Sequence, residues 1–273
     1  MKRRWILMSL ALLAGCGAFA FSQVTGGKEF RAAAEPVEDC PADFFVASAR
    51  VFDAVQICAT SLVPAEKLAH AAAVTAEWLD NDGDGAIDEP RILDALRANK
   101  ATLSMSREQM PIGPMIAVTS DDTRIMQDLW AVETDPEGGR RDASQEEINH
   151  LLLNAGWSVI DPGLFGTQPG SAVREQWEIA EREGYYSYDD PTCDATCKVT
   201  EFFYLATAAY FGASSDLESD EMRLKNREEL AANLPGTTAL ITSANVIYPT
   251  DHWPRGSYAH AQHIVYSGKS GGE

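Results

Sequence analysis

The chain reads as a helix-rich α+β domain with a small sheet, and three observations carry that reading. Apolar residues recur at helical spacing over long stretches: Leu68, Ala71, Ala72, Thr75, Trp78 and Leu79 form one stripe, and residues 144–155, 173–184, 196–211 and 218–233 read as further helices. Shorter runs rich in β-branched and aromatic residues, at 50–58, 101–105 and 126–133, read as strands. No internal repeat or low-complexity block divides the 273 residues, a length that suits one large domain or two small ones. We take a single main domain over 40–266.

The elements follow in order. Residues 16–39, with Gly26, Gly27, Ala32 to Ala34 and Pro36, show no periodicity and read as a tether. Between 44 and 60 the alternation is imperfect and supports at least one strand, placed at 50–58. Pro64 opens the first helix where a missing N–H costs nothing; His70 falls off its buried stripe and reads as a surface residue. After an acidic loop, Pro90 restarts a helix that runs to about Asn99, the strand 101–105 follows, and Pro111 and Pro114 mark a loop. The strand 126–133 ends at Asp135-Pro136-Glu137-Gly138-Gly139. Beyond the later helices, 237–266 is strand-like and loop-rich, and 267–273 reads as a flexible tail.

Charge narrows the function classes. Forty-one acidic residues against 22 basic ones give a net charge of −19. Such a surface repels nucleic acid and anionic headgroups and attracts divalent cations. No Gly-x-Ser-x-Gly elbow, phosphate loop or dinucleotide fingerprint occurs, so serine-hydrolase and nucleotide-dependent chemistry lack support. The sequence sets no oligomeric state.

At the N-terminus, Lys2-Arg3-Arg4 precede an apolar stretch, Trp5 to Ala14, too short to span a bilayer. That pattern is a signal peptide over residues 1–15. Its end, Leu13-Ala14-Gly15-Cys16, resembles the lipobox of bacterial lipoproteins. The resemblance implies lipidation of Cys16 and a membrane anchor in the cell envelope, with Gly17 pointing to the outer membrane facing the periplasm. Cleavage after Ala18-Phe19-Ala20 is the alternative, and gives a secreted or periplasmic protein. Cys40, Cys58, Cys193 and Cys197 are then an even set in an oxidising compartment, which implies two disulfides. Three connectivities are open; locality favours Cys40 with Cys58 and Cys193 with Cys197.

Two constellations bear chemistry. Asp80-Asn81-Asp82-Gly83-Asp84-Gly85-Ala86-Ile87-Asp88 resembles the calcium loop of EF-hands and dockerin repeats, placed at 80–91. Ca2+ needs six to eight oxygens, and carboxylates at positions 1, 3 and 5 with Gly at 6 let the backbone turn around it. The resemblance implies Asp80, Asp82 and Asp84 as ligands, the carbonyl of Ala86, and Asp88 directly or through water. Position 12, a bidentate Glu in EF-hands, is Arg91 here, which cannot ligate a cation. Glu89, Asp94 or water is left to supply the missing oxygens. The competing reading is a solvated Asp/Gly turn.

The second constellation is Ser144-Gln145-Glu146-Glu147-Ile148-Asn149-His150, which sets Glu147 and His150 one turn apart on a helix face. It resembles the HExxH motif of zincin metallopeptidases, with Glu146 in place of the first His. The resemblance implies Glu147 as general base and His150 with Glu146 as ligands of Zn2+ or another transition metal. Glu201, a carboxylate on an apolar helix, fits the third ligand that the gluzincin branch takes from a later helix, and the 126–133 strand fits that branch's edge strand. This requires Glu201 to lie within a few ångström of the His150 ring. Against it, Ser144 and Glu147 can form a capping box, and Glu201 can pair with Arg174 or Lys198. Two functions result: a metal-dependent hydrolase, most simply a peptidase, or a non-catalytic, calcium-stabilised lipoprotein that binds a peptide, protein or glycan.

Overall fold

The computed structural model describes residues 27–269. The expected leader, Cys16, the first part of the tether and the last four residues lie outside the described residues. The fold is α+β as expected: a five-stranded sheet in the order β4-β3-β2-β1-β5 with helices packed mainly on one face.

β1 (Phe45–Val51) and β2 (Val55–Thr60) form an antiparallel hairpin. The single strand expected at 50–58 is corrected here, because the chain reverses inside it. Phe52 and Asp53 take left-handed φ values of 48° and 51°, the geometry of a tight hairpin turn that Gly or Asn ordinarily marks. α1 (Ala65–Leu79) follows Pro64, with Leu68, Ala71, Ala72, Thr75, Trp78 and Leu79 all buried. His70 is not a surface residue: its Nε2 lies 2.7 Å from Asp142 Oδ2, and its side chain is largely covered.

α2 (Arg91–Ala98) leads to β3 (Thr102–Ser106), which lies parallel to β2. The Pro111–Pro114 segment is not only a loop, since α3 (Ile112–Val118) starts directly after Pro111. β4 (Met126–Trp130) pairs parallel with β3 at the end of the sheet. α4 (Ala143–Leu152) runs on through a π-helical turn, Leu153–Trp157, into α5 (Ser158–Ile160). Gly156 sits in that turn because a Cβ there would meet Ile92 Cγ1 at 2.5 Å.

α6 (Pro162–Phe165), α7 (Ala172–Glu183) and α8 (Ala195–Phe211) complete the helical layer. The helix expected at 218–233 forms only as α9 (Arg227–Asn233); residues before it are irregular, with Met222 bridged to Tyr186. The region 237–266 is corrected in two ways. It begins in α10 (Pro235–Ile241), and its strand, β5 (Ile264–Gly268), runs past residue 266 into the expected tail, where Lys269 N–H still donates to Val46 O. The described part of the tether is also packed: Glu29 is buried and accepts from Thr60 Oγ1 and Arg107 N.

Alternation along the hairpin assigns the two faces. Ala47, Ala49, Val51, Val55, Ile57 and Ala59 join the main core with α1, α4 and α8, while Phe45 and Cys58 join a small second core with Phe44, Met110 and Val118. Disulfides link Cys40 to Cys58 and Cys193 to Cys197, the local pairing.

Candidate metal centre

α4 is capped by Asp142, whose Oδ1 accepts from Ser144 N–H and Ser144 Oγ, while Oδ2 meets His70. Ser144 is therefore not the cap and no capping box forms. Burial favours the protonated form of Asp142, but the hydrogen bonds from His70, Asp135 N–H and Ser144 outweigh it and hold the carboxyl below its usual range. This leaves Glu147 free of the helix terminus; it accepts instead from Gln127 Nε2 on β4 at 2.7 Å.

From that start, α4 presents Glu146 and His150 toward α8, where Glu201 sits on a helix otherwise apolar along most of its length. Ligand atoms of Glu146, His150 and Glu201 all lie within 4.8 Å of one another. His150 is 1% exposed and its Nε2 has no hydrogen-bond partner; Glu201 Oε2 stands 3.6 Å away, too far for one. Arg174 pairs with Glu178 and leaves Glu201 to this cluster.

Burial dominates the electrostatics of the cluster. Burial, reinforced by Arg141, pushes the His150 imidazole down to about 3, so the ring is neutral, the form that ligates metals. Burial pushes Glu201 up to about 8, opposed by Arg141 and reinforced by Glu221 and Asp190. Glu147 is raised well above the carboxylate range by burial, with the charges of Asp128 and Glu201 adding. Glu146 pairs with the Arg141 guanidinium, which also stands 3.9 Å from Asp216 Oδ1.

Arg141, Glu146, Glu147, His150 and Glu201 line one cavity of about 650 Å³. Gln127, Asp128, Leu129 and Trp130 of β4 form one wall, Tyr188, Asp190, Cys193 and Cys197 another. Family models, curated proteins and solved structures yield no match to this chain. An orphaned, neutral, buried imidazole nitrogen beside two carboxylates is a donor set that fits a transition metal.

The acidic loop is the other candidate cluster among the described residues. Asp80, Asp82 and Asp88 offer oxygens within 4.8 Å of one another. Asp80 is 0% exposed; its Oδ2 accepts from Gly85 N–H and Tyr258 OH, and its Oδ1 has no partner. Gly85 turns at a φ of 89°. Asp84 is not in that group: it is exposed, and its Oδ1 accepts from Ala86 N–H. Arg91 at position 12 holds Glu89 through Nε at 2.7 Å and Nη2 at 2.5 Å. His260 and His263 do not join a metal cluster; His260 Nε2 lies 2.9 Å from Gly83 O, and His263 stacks on Phe52.

Sequence reasoning missed Arg141 and Asp128, which lie in no motif. Tyr188 lines the cavity, while Tyr186 is buried against Phe202.

Proposed function

We propose that this chain is an exported, lipid-anchored, calcium-clamped protein whose central cavity holds a transition metal for hydrolysis, with a peptide as the simplest substrate. The observation that carries the reading is the convergence of Glu146, His150 and Glu201 within 4.8 Å inside the cavity. A motif resemblance from one helix and a lone carboxylate from another meet at one point.

In this reading Glu146, His150 and Glu201 hold the metal, which when bound polarises water and a carbonyl oxygen as a Lewis acid. Glu147, one residue from a ligand and hydrogen-bonded to Gln127, takes the proton from the attacking water and returns it to the leaving amine. Burial of His150 keeps its nitrogen dry and unprotonated. β4 ends the sheet and lines the cavity with four of its five residues, so an extended peptide laid along it would bring a carbonyl past Glu147. The seven acidic lining residues, Asp128, Glu133, Glu146, Glu147, Asp190, Glu201 and Glu218, outnumber Arg140 and Arg141, which favours cationic segments.

Export is supported by the two disulfides, which fit a compartment outside the reducing cytoplasm. No helix among the described residues is long and apolar enough to cross a membrane, so in this reading the lipid on Cys16 is the anchor. The non-catalytic, ligand-binding reading keeps one observation in its favour: Arg141 already neutralises Glu146. Mass and metal analysis of the cell-made protein separates the two. The hydrolase reading expects an acylated Cys16 terminus and one transition metal per chain, lost in His150→Ala and kept in Asp82→Ala. Calcium alone, lost only in Asp82→Ala, would leave the binding reading, and an intact Met1 would end the export claim.

A further inference from the structure

The N-terminal segment meets the domain beside α3. Glu29 is buried and accepts from Thr60 Oγ1 on β2 and from the N–H of Arg107, two residues before a stretch without charge. Phe30 meets Phe44 edge-on at 5.5 Å and packs against the small second core, as does Met115, while Met110 and Val118 belong to that core. Phe45 and Cys58 turn to this core and their strand neighbours to the main one, so the N-terminal segment and α3 share the sheet face opposite the main core.

On that side α3 turns an apolar face outward. Val118 is buried, but Ile112 is 62% exposed and Ile116 64%, the two most exposed large hydrophobic side chains among the described residues. Gly113 and Ala117 are exposed as well, and residues four apart share a helix face, so these four make one stripe. Residues 109–120 carry no charged side chain, although 23% of the chain is charged. An uncharged apolar surface of this kind marks a contact with another apolar phase.

We infer that this stripe of α3 rests in the headgroup region of the bilayer that holds the lipid on Cys16, so that the domain docks on the membrane by one fixed face. This rests on the lipid anchor proposed above and goes beyond it by naming the face. Two observations choose a bilayer as the occupant. Cys16 stands eleven residues before residue 27, about 40 Å at full stretch, and the chain meets the domain on the α3 side, which is therefore the side held nearest the lipid. A chain of net charge −19 is repelled by anionic headgroups, and residues 109–120 add nothing to that repulsion. One short helix face is a small area, but tethering makes the second contact intramolecular and a small area then suffices. Gln109 and Met115 also line the cavity, so docking sets that wall of the cavity beside the membrane.

The test uses the acylated mature chain made in cells and reconstituted in phosphatidylcholine vesicles. A polarity-sensitive fluorophore is placed on Ala117→Cys or, as the distant control, on Glu183→Cys at the end of α7. Interfacial helices bury their apolar face about 5–10 Å deep, so phosphatidylcholine brominated near the top of its acyl chains should quench the 117 probe by at least about half. The 183 probe should be unchanged. Ile112→Ser together with Ile116→Ser, both at exposed positions, should abolish quenching at 117 without releasing the protein from the vesicles. If the 117 probe on vesicle-bound protein is as wet and unquenched as the 183 probe, the inference is overturned and the anchor stands. A 117 probe that is dry yet unquenched by brominated lipid also overturns it, and puts another segment or a second copy on the stripe. Protein that does not sediment with the vesicles would end the anchor reading and the inference together.

Discussion

Glu201 shows how a single buried carboxylate ties function to stability. Its proton affinity in the fold is raised from the ordinary 4.5 to about 8 by burial. A raised value means that the folded state holds the proton more tightly than the unfolded chain, so its stabilising contribution is complete below about 4.5 and is lost as pH climbs toward 8. In metal-free protein, Glu201→Gln should therefore be more stable than wild type by on the order of 2 kcal/mol at pH 8, with little difference at pH 4.5. Saturating zinc should reverse the order at pH 8, because only wild type gains the full ligand set. Denaturant unfolding at the two pH values checks this; a mutant effect independent of pH would mean that Glu201 is not buried against charge. The sequence made Glu201 legible because a carboxylate on an apolar helix demands a partner. It left Arg141 illegible, since an arginine in a polar loop looks the same whether it faces solvent or a ligand.

At the scale of elements, α4 is positioned by its cap rather than by its periodicity. Asp142 satisfies the first turn and binds His70 of α1, so the helix carrying Glu146, Glu147 and His150 is fixed to the helix that ends in the acidic loop. Asp142→Ala should cost about 1–2 kcal/mol at neutral pH. Because hydrogen bonds depress the Asp142 value below the usual carboxylate range, that contribution is present above about 4 and lost as pH falls through the depressed folded value. Thermal unfolding should show the wild-type advantage shrinking between pH 7 and pH 3, and an advantage unchanged at pH 3 would contradict the assignment. Most of the long elements were legible from their apolar residues, spaced along one side in α7 at Val173, Trp177 and Ala180 and running without a break through α8. The hairpin turn at Phe52-Asp53 was not, since non-glycine residues occupy left-handed geometry there. α3 and α10 are only seven residues each, too short for periodicity to declare itself.

Over the whole molecule, the sheet sets the distance between the two candidate sites. β4 walls the cavity at one end of the strand order, and β5 at the other receives the segment that has just crossed the acidic loop. Helices α1 and α4 pack on each other between them, so both sites belong to one scaffold. The order of elements along the chain predicted α+β, but the placement of β5 beside β1 was invisible, because its exposed residues Val265 and Tyr266 carry no burial pattern. The cavity itself is a product of separate segments brought together by tertiary packing. α4, α8 and the strand before α4 announced their share in it.

Glu146, His150 and Glu201 are proposed to form one metal-binding point. Anomalous diffraction at the zinc edge from crystals grown with zinc tests it most directly. We expect one strong peak within about 2.0–2.2 Å of His150 Nε2 and of the Glu146 and Glu201 carboxylates, with Arg141 displaced from Glu146. Crystals that show no zinc peak in the cavity, with Arg141 still seated on Glu146, would contradict the account.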